Sequence, residues 1–342
     1  MKKILTLLLA LWMLTGCVAM AAENQLVVGS TTAMSGAFFT DLFGSNTADI
    51  DVRALLHGYN LMSWDHETGT YQINDSVVAG MAVSKDAQNN RVYTFDLYGD
   101  LKFSDGSAIT AKDYAFSILL TASPELAKLG GQSAAVGAIL GMDAYQSGKS
   151  SVLRGVRLLS DTQMSITISK AYEPYFYEMA LFDYSPYPIS VLAPGCKVVD
   201  TEKGVGIVNA GGTGAAIFTA GLLQKTILDA ATGYMSHPSV VSGPYTLTSY
   251  DAQSGTASFA INPYYKGNED GEKPTIETIV YRSVANDEAI DLLLSGKVDL
   301  LNKMVAADTI SKGIQSTADQ PFSVANYPRS GLSMISFSCE RQ

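Results

Sequence analysis

The stretch "KFSDGSAITAKDYAFSI", residues 102–118, decides how the rest of the chain is read. Asp105 and Asp113 stand eight positions apart with Ser104, Ser107 and Thr110 around them, a composition that suits either a carboxylate pair for chemistry or a corner in the chain. Local rules favour the corner. Asp105-Gly106 is a turn dipeptide in which glycine accepts positive φ. Thr110 and Asp113 stand in the N-cap and N3 relation of a capping box, with Asp in place of Glu, and Asp113 falls in a first turn where the helix dipole favours negative charge. Ala111, Tyr114, Ala115, Ile118 and Leu119 then share one helical face. A strand over 91–97 is therefore expected to run through a turn into a helix, with each polar residue serving structure rather than catalysis.

The same rules extend outward. Leu26 to Val28 is an apolar run stopped by Gly29, a buried strand. Residues 52–62, "VRALLHGYNLM", carry apolar positions at helical spacing, and "GTYQIND" and "RVYTFDLY" read as strands. In "PTIETIVYRSVANDEAIDLLLSGKVDLL", 274–301, an alternating strand precedes a helix that Asn286 can cap, with Asp287 and Glu288 in its first turn. Gly296 suits the C′ position, and "VDLL" is a second strand, so the unit is β-α-β, typical of α/β lobes. The region from about 195 to 240 reads as irregular, with "NAGGTGAA" at 209–216 a flexible connection.

The chain has 342 residues, a formal net charge of −10, pI about 4.8 and 47% hydrophobic residues, enough for more than one domain. An acidic surface without Lys/Arg runs disfavours nucleic acid as a partner. The start, "MKKILTLLLALWMLTGC", has basic Lys2 and Lys3, an apolar run from Ile4 to Leu14 too short to span a bilayer, and Thr15-Gly16-Cys17. It reads as a signal peptide over 1–16, and "LTGC" resembles the lipobox of bacterial lipoproteins, in which Cys17 is lipidated. Cleavage after Ala21 or Ala22 is the alternative. Cys196 and Cys339 are left, and spacing does not say whether they pair.

Signals for chemistry are weak. His57, His66 and His237 show no HExxH spacing, no GxSxG elbow exists, and Asp143 stands where a P-loop ending in "GKSS" would need its first glycine. "WDHETG" and "NEDGEKP" lack the alternating ligands of an EF-hand and read as solvated turns. The aromatic cluster "YEPYFYEM", 172–179, is assigned to core packing over ligand stacking. No catalytic residue, metal site or cofactor is expected.

The opening stretch resembles the signature of the family 5 extracellular solute-binding proteins, the peptide- and nickel-binding components of ABC importers, in which an "F-S-D-G" turn leads into a "T-A-x-D" helix. Residues 141–180, "SGPYTLTSYDAQSGTASFAINPYYKGN" at 242–268, and 274–301 match further segments in the family's order. The resemblance implies an α/β, periplasmic-binding-protein-like type II bilobal fold (cluster C) with mixed sheets and an incomplete third lobe. Its expected division is lobe I over 17–50 and 190–285, an inserted lobe II over 51–189, and the start of lobe III over 286–342. Family members continue further, so the chain is expected to be truncated, with "GLSMISFS" and "VDLL" in one sheet. The acidic residue that holds a peptide's α-amino group in relatives lies in the later part and has no counterpart here.

The implied function is non-enzymatic: a lipoprotein of the cell envelope, facing the periplasm or the exterior, that hands a short peptide to an ABC permease and ATPase. A nickel-chelate or other small-solute binder, an inactive fragment and a secreted hydrolase are the alternatives. Loop position nominates Thr31, Thr32 and Met34 after the first strand, and Ser242 and Tyr245, as ligand-binding residues.

Overall fold

The computed structural model describes residues 24–44, 46–65, 67–132, 137–173 and 175–326. Cys17, Cys339, the leader and the "GLSMISFS" segment lie outside them, so the expectations placed on those residues do too.

The first sheet has the order β11-β12-β13-β1-β14 and is mixed. Its centre is β1 (Gln25–Ser30), with β13 (Thr278–Ser283) parallel on one side and β14 (Leu300–Asn302) parallel on the other. The strands β11 (Tyr245–Asp251) and β12 (Thr256–Ile261) extend it as an antiparallel ribbon. The helix α1 (Thr47–Leu56) packs Ala48, Val52 and Leu56 on one face of the sheet, together with Val28, Phe38, Phe259 and Tyr281. The other face meets the helix Ala289–Leu294 through Val284, Ala289 and Val298. This is the expected β-α-β unit. Gly296 has φ +68, its amide bonds Leu293 O and the Lys297 amide bonds Leu292 O, the two bonds of a Schellman ending. The helix start differs: the N-cap is Glu288 rather than Asn286, and the Asn286 carbonyl accepts the Thr309 hydroxyl.

A second group of sheets surrounds α2 (Ala111–Thr121), in which every position from Asp113 to Leu120 is buried. One sheet has the order β4-β5-β8-β7, formed by β4 (Val78–Lys85), β5 (Arg91–Leu97), β7 (Val156–Leu158) and β8 (Gln163–Ile168), all antiparallel. Another has the order β6-β10-β9, from β6 (Val152–Leu153), β9 (Cys196–Thr201) and β10 (Gly204–Asn209). The small hairpin β2 (Met62–Asp65) and β3 (Thr70–Ile73) completes the set. Tyr114, Phe116, Phe95, Met164 and Phe182 lie in their common core, and Cys196 is buried at its margin.

The corner at 102–118 is as its sequence predicts. Gly106 has φ +84, and Asp105 Oδ1 accepts the Ser107 amide at 2.9 Å. Thr110 is the N-cap: its amide donates to Asp113 Oδ2 at 2.8 Å, while its hydroxyl oxygen accepts the Lys112 amide at 3.3 Å. Burial pushes the Asp113 carboxyl up to about 6, against the hydrogen bonds from Thr110 that lower it.

Two regions depart from expectation. The helix foreseen at 52–62 begins at Thr47 under an Asn46 capping box and stops at Leu56, before Gly58 and a left-handed Tyr59 (φ +58). The stretch read as irregular holds the β9–β10 hairpin and the helix Ala220–Thr226. Strand pairing also links stretches that are distant in sequence. The hairpin β9–β10 bonds to β6, and Arg157 Nε meets Asp200 at 2.9 Å, whereas β11 and β12 of the same 190–285 stretch join β1. From beyond residue 286, β14 also joins β1.

Candidate functional site

Where parallel strands end together, their last residues and following loops form the crevice in which α/β sheets bind ligands. Here those ends are Ser30, Ser283 and Asn302. The loop after Ser30 is held by α1. Asn46 Nδ2 donates to Ala33 O at 2.8 Å, and Asp49 accepts both the Ser35 amide at 2.9 Å and its hydroxyl at 2.6 Å. Arg53 donates to Ala37 O at 2.8 Å. The Thr32 amide turns back to Ser30 Oγ, and its hydroxyl accepts from Thr47 Oγ1 at 3.4 Å. A loop with so many fixed points presents its backbone in one conformation, which lowers the ordering cost of any ligand that binds it.

Beside this loop, one carboxylate gathers three elements. Asp51 Oδ2, from α1, accepts the Tyr281 hydroxyl at 2.9 Å and Asn302 Nδ2 at 2.7 Å, and Oδ1 pairs with the Lys303 ammonium. Lys303 has φ +55, a left-handed conformation that costs a non-glycine residue free energy and persists where surroundings impose it. Burial, with the Asp51 charge nearby, raises the Tyr281 hydroxyl to about 12, so it stays a donor at neutral pH.

The nominated residues separate in the structure. Thr31 and Thr32 are half-buried at the mouth of this crevice. Met34 is buried in the first core. Ser242 is buried, its hydroxyl bonded to both the carbonyl and the amide of Gly58. Tyr245 is buried, with its hydroxyl on Ile276 O at 2.9 Å. Sequence reasoning missed Asp51, Tyr281, Asn302 and Lys303, since the partners of Asp51 lie 230 to 252 positions away and no local signal marks them.

Other sequence signals resolve as follows. In "WDHETG", Asp65 Oδ1 accepts the Glu67 amide, and in "NEDGEKP", Asn268 Oδ1 accepts the Glu272 amide, the bonding of ordinary turns. Among the described residues, no group of three or more His, Cys, Asp or Glu side chains gathers to hold a metal. The aromatic cluster corrects an expectation: Tyr172, Tyr175, Phe176 and Tyr177 are exposed, Phe176 by 82%, and the core position falls to Phe182. The chain there leaves β8 through short 3-10 turns, without the alternation that would carry these rings inward.

Known proteins share this architecture. The solved structure of lactococcal OppA, complexed with an endogenous peptide in the closed conformation, matches 87% of this chain and 48% of its own with a TM-score of 0.62 at 20% identity. Listeria monocytogenes OppA, bound to peptide, matches with a TM-score of 0.59 over 86% of this chain and 49% of its own, at 19% identity. The chain thus has the fold of the OppA-type binding proteins, mixed α/β with several sheets, over about half of their length.

Residues 76–342 match the family described as Bacterial extracellular solute-binding proteins, family 5 Middle, and the chain belongs to that family. Among curated relatives, the oligopeptide-binding protein OppA of Lactococcus lactis subsp. lactis is 28% identical over 233 residues, 67% of this chain and 32% of that protein. The periplasmic oligopeptide-binding protein OppA of Escherichia coli is 33% identical over 111 residues, 32% of this chain and 20% of that protein. The chain spans about a third or less of these relatives' length.

Proposed function

We propose that this chain serves as the substrate-binding component of an ABC importer and captures short peptides without catalysis. The observation that carries the reading is a firmly held polar loop, including Thr31 and Thr32, at the carboxyl ends of three parallel strands in a solute-binding family member. Relatives named for oligopeptide binding support peptides over nickel chelates as the solute class. Binding acts by population shift: the ligand stabilises a closed state that the permease and its ATPase recognise. In this reading the backbone from Thr31 to Met34 meets the ligand, while Ser242 and Tyr245 hold the wall behind it. Lobe I comprises β1, β11 to β14 and α1. Lobe II takes the sheets around α2, including the 196–209 hairpin. A diacylglyceryl group on Cys17 anchors the protein at the outer face of the cell membrane.

Isothermal titration calorimetry with defined di- to pentapeptides, against free amino acids, sugars and nickel–histidine, tests the reading. Saturable heat with peptides and none with the others is expected. Saturable heat with nickel–histidine alone moves the protein to the metal-chelate branch of its family. No heat with any solute removes the binding function from this chain.

A further inference from the structure

The two groups of sheets are joined by many contacts. Ser104 exchanges two hydrogen bonds with Val241, the Tyr59 oxygen accepts the Lys266 amide, the Tyr59 and Tyr265 rings stack at 5.1 Å, and Lys266 pairs with Asp100 at 2.9 Å. The exit from β14 is held differently. This strand has three residues, pairs with β1 along one side and leads at once into left-handed Lys303 and the exposed Val305. What fixes the exit is Asp51: Asn302 and Lys303 both converge on its carboxylate, whose Oδ2 is also bound by Tyr281 of β13. Asp51 and Lys303 keep 19% and 31% of their side-chain exposure, so the pair is neither sealed nor fully screened by solvent.

We propose that Asp51 is a latch: it holds Asn302 and Lys303 against α1 and β13 and thereby fixes the course of residues 302–306 between β14 and the 307–316 helix. With the ion pair made, the left-handed Lys303 is tolerated and this short link is fixed at both ends, since the 307–316 helix is itself held by the Thr309 hydroxyl on Asn286 O and by Lys312 with Asp291. With it broken, Lys303 relaxes to an ordinary backbone conformation and residues 302–306 loosen between β14 and that helix. The latch gives the closure in the proposed function a fixed link, and it rests on that reading for its purpose. Its test requires no ligand.

Hydrogen exchange followed by mass spectrometry on the full chain decides, with wild type, Asp51→Asn, Lys303→Ala and the double variant. Amides of 302–306 are expected to exchange on the order of tenfold faster in each single variant, with no further gain in the double. Those of 25–30, 278–283 and 111–121 should stay as in wild type. Lys303→Gly, which removes the ammonium and the left-handed strain together, should also speed exchange over 302–306. Unchanged exchange there in Lys303→Ala, or effects that simply add in the double variant, overturns the latch. So does equal acceleration across 111–121, which marks global destabilisation. Because ligand is absent, failure here leaves the peptide titration to stand or fall separately.

Discussion

Ser104 and Val241 stand 137 positions apart and are joined twice: the Ser104 amide donates to Val241 O at 2.8 Å, and the Val241 amide donates to Ser104 Oγ at 3.0 Å. The turn before α2 is thereby sewn to the segment that enters β11. Ser104→Ala strands the Val241 amide, and a half-buried donor without a partner costs about 1–3 kcal/mol. Urea unfolding should show that loss with an unchanged m-value. A stability equal to wild type would mean that water replaces the hydroxyl.

At the other end of the turn, Thr110→Ala removes the cap of α2 and should cost about 0.5–2 kcal/mol. Asp105→Asn retains an acceptor for the Ser107 amide and should change stability by less than about 0.5 kcal/mol. Any peptide affinity should survive it, since Asp105 serves the turn. Lost affinity at unchanged stability would give Asp105 a role in binding.

His57 supplies a pH dependence. Burial, opposed by its bond to Phe38 O, lowers it to about 4. Between the ordinary histidine value near 6.5 and about 4 the unfolded chain binds the extra proton and the folded chain does not. Its contribution to stability is therefore intact above about pH 6.5 and is lost progressively as pH falls toward 4, by roughly 3 kcal/mol. Asp113 acts in the opposite sense: with its folded value near 6, the folded state takes up the proton first and gains stability as pH falls from 6 toward 3.8. Chemical denaturation at pH 7.5 and pH 4.5 should show a smaller acid loss in His57→Phe and a larger one in Asp113→Asn than in wild type. Identical losses in all three proteins would contradict both assignments.

Two phenylalanines near the end of the 172–182 segment should behave differently. Phe176 is 82% exposed, so Phe176→Ser should leave stability within about 0.5 kcal/mol of wild type. Phe182 is fully buried between Tyr93 and Phe95, and Phe182→Ala should cost about 3–5 kcal/mol through the cavity it leaves. Thermal melts of the pair decide whether the exposed aromatic loop carries any of the fold's stability.

Anchoring is tested in bacterial cells expressing the full precursor. Labelled fatty acid should enter wild type and not Cys17→Ser, and the variant should leave the membrane fraction, since several acyl chains are needed for stable attachment. Equal labelling in both would remove Cys17 as the acceptor.

What the sequence determined by itself is local. The Asp105-Gly106 turn, the Thr110 cap with Asp113 three residues on, and the Gly296 helix ending each depend on groups within five positions, and the structure places each as read. The strands of the β-α-β unit were legible for the same reason, because alternation is a property of neighbours. The Asn286 cap is not formed: the helix starts later, with Glu288 at the N-cap and no side-chain hydrogen bond there. The 196–209 hairpin went unread although its strands pair with each other across a short local turn; only its pairing with β6 draws on residues about fifty positions earlier. The site was the least legible part. Asp51 reads as one more polar residue on α1, and only the parallel alignment of β13, β1 and β14 brings Tyr281, Asn302 and Lys303 to its carboxylate. Capping and turn energies act over a single helical turn and are written in short patterns. A shared carboxylate between distant strands exists only after the sheet has closed, so tertiary structure alone decided it.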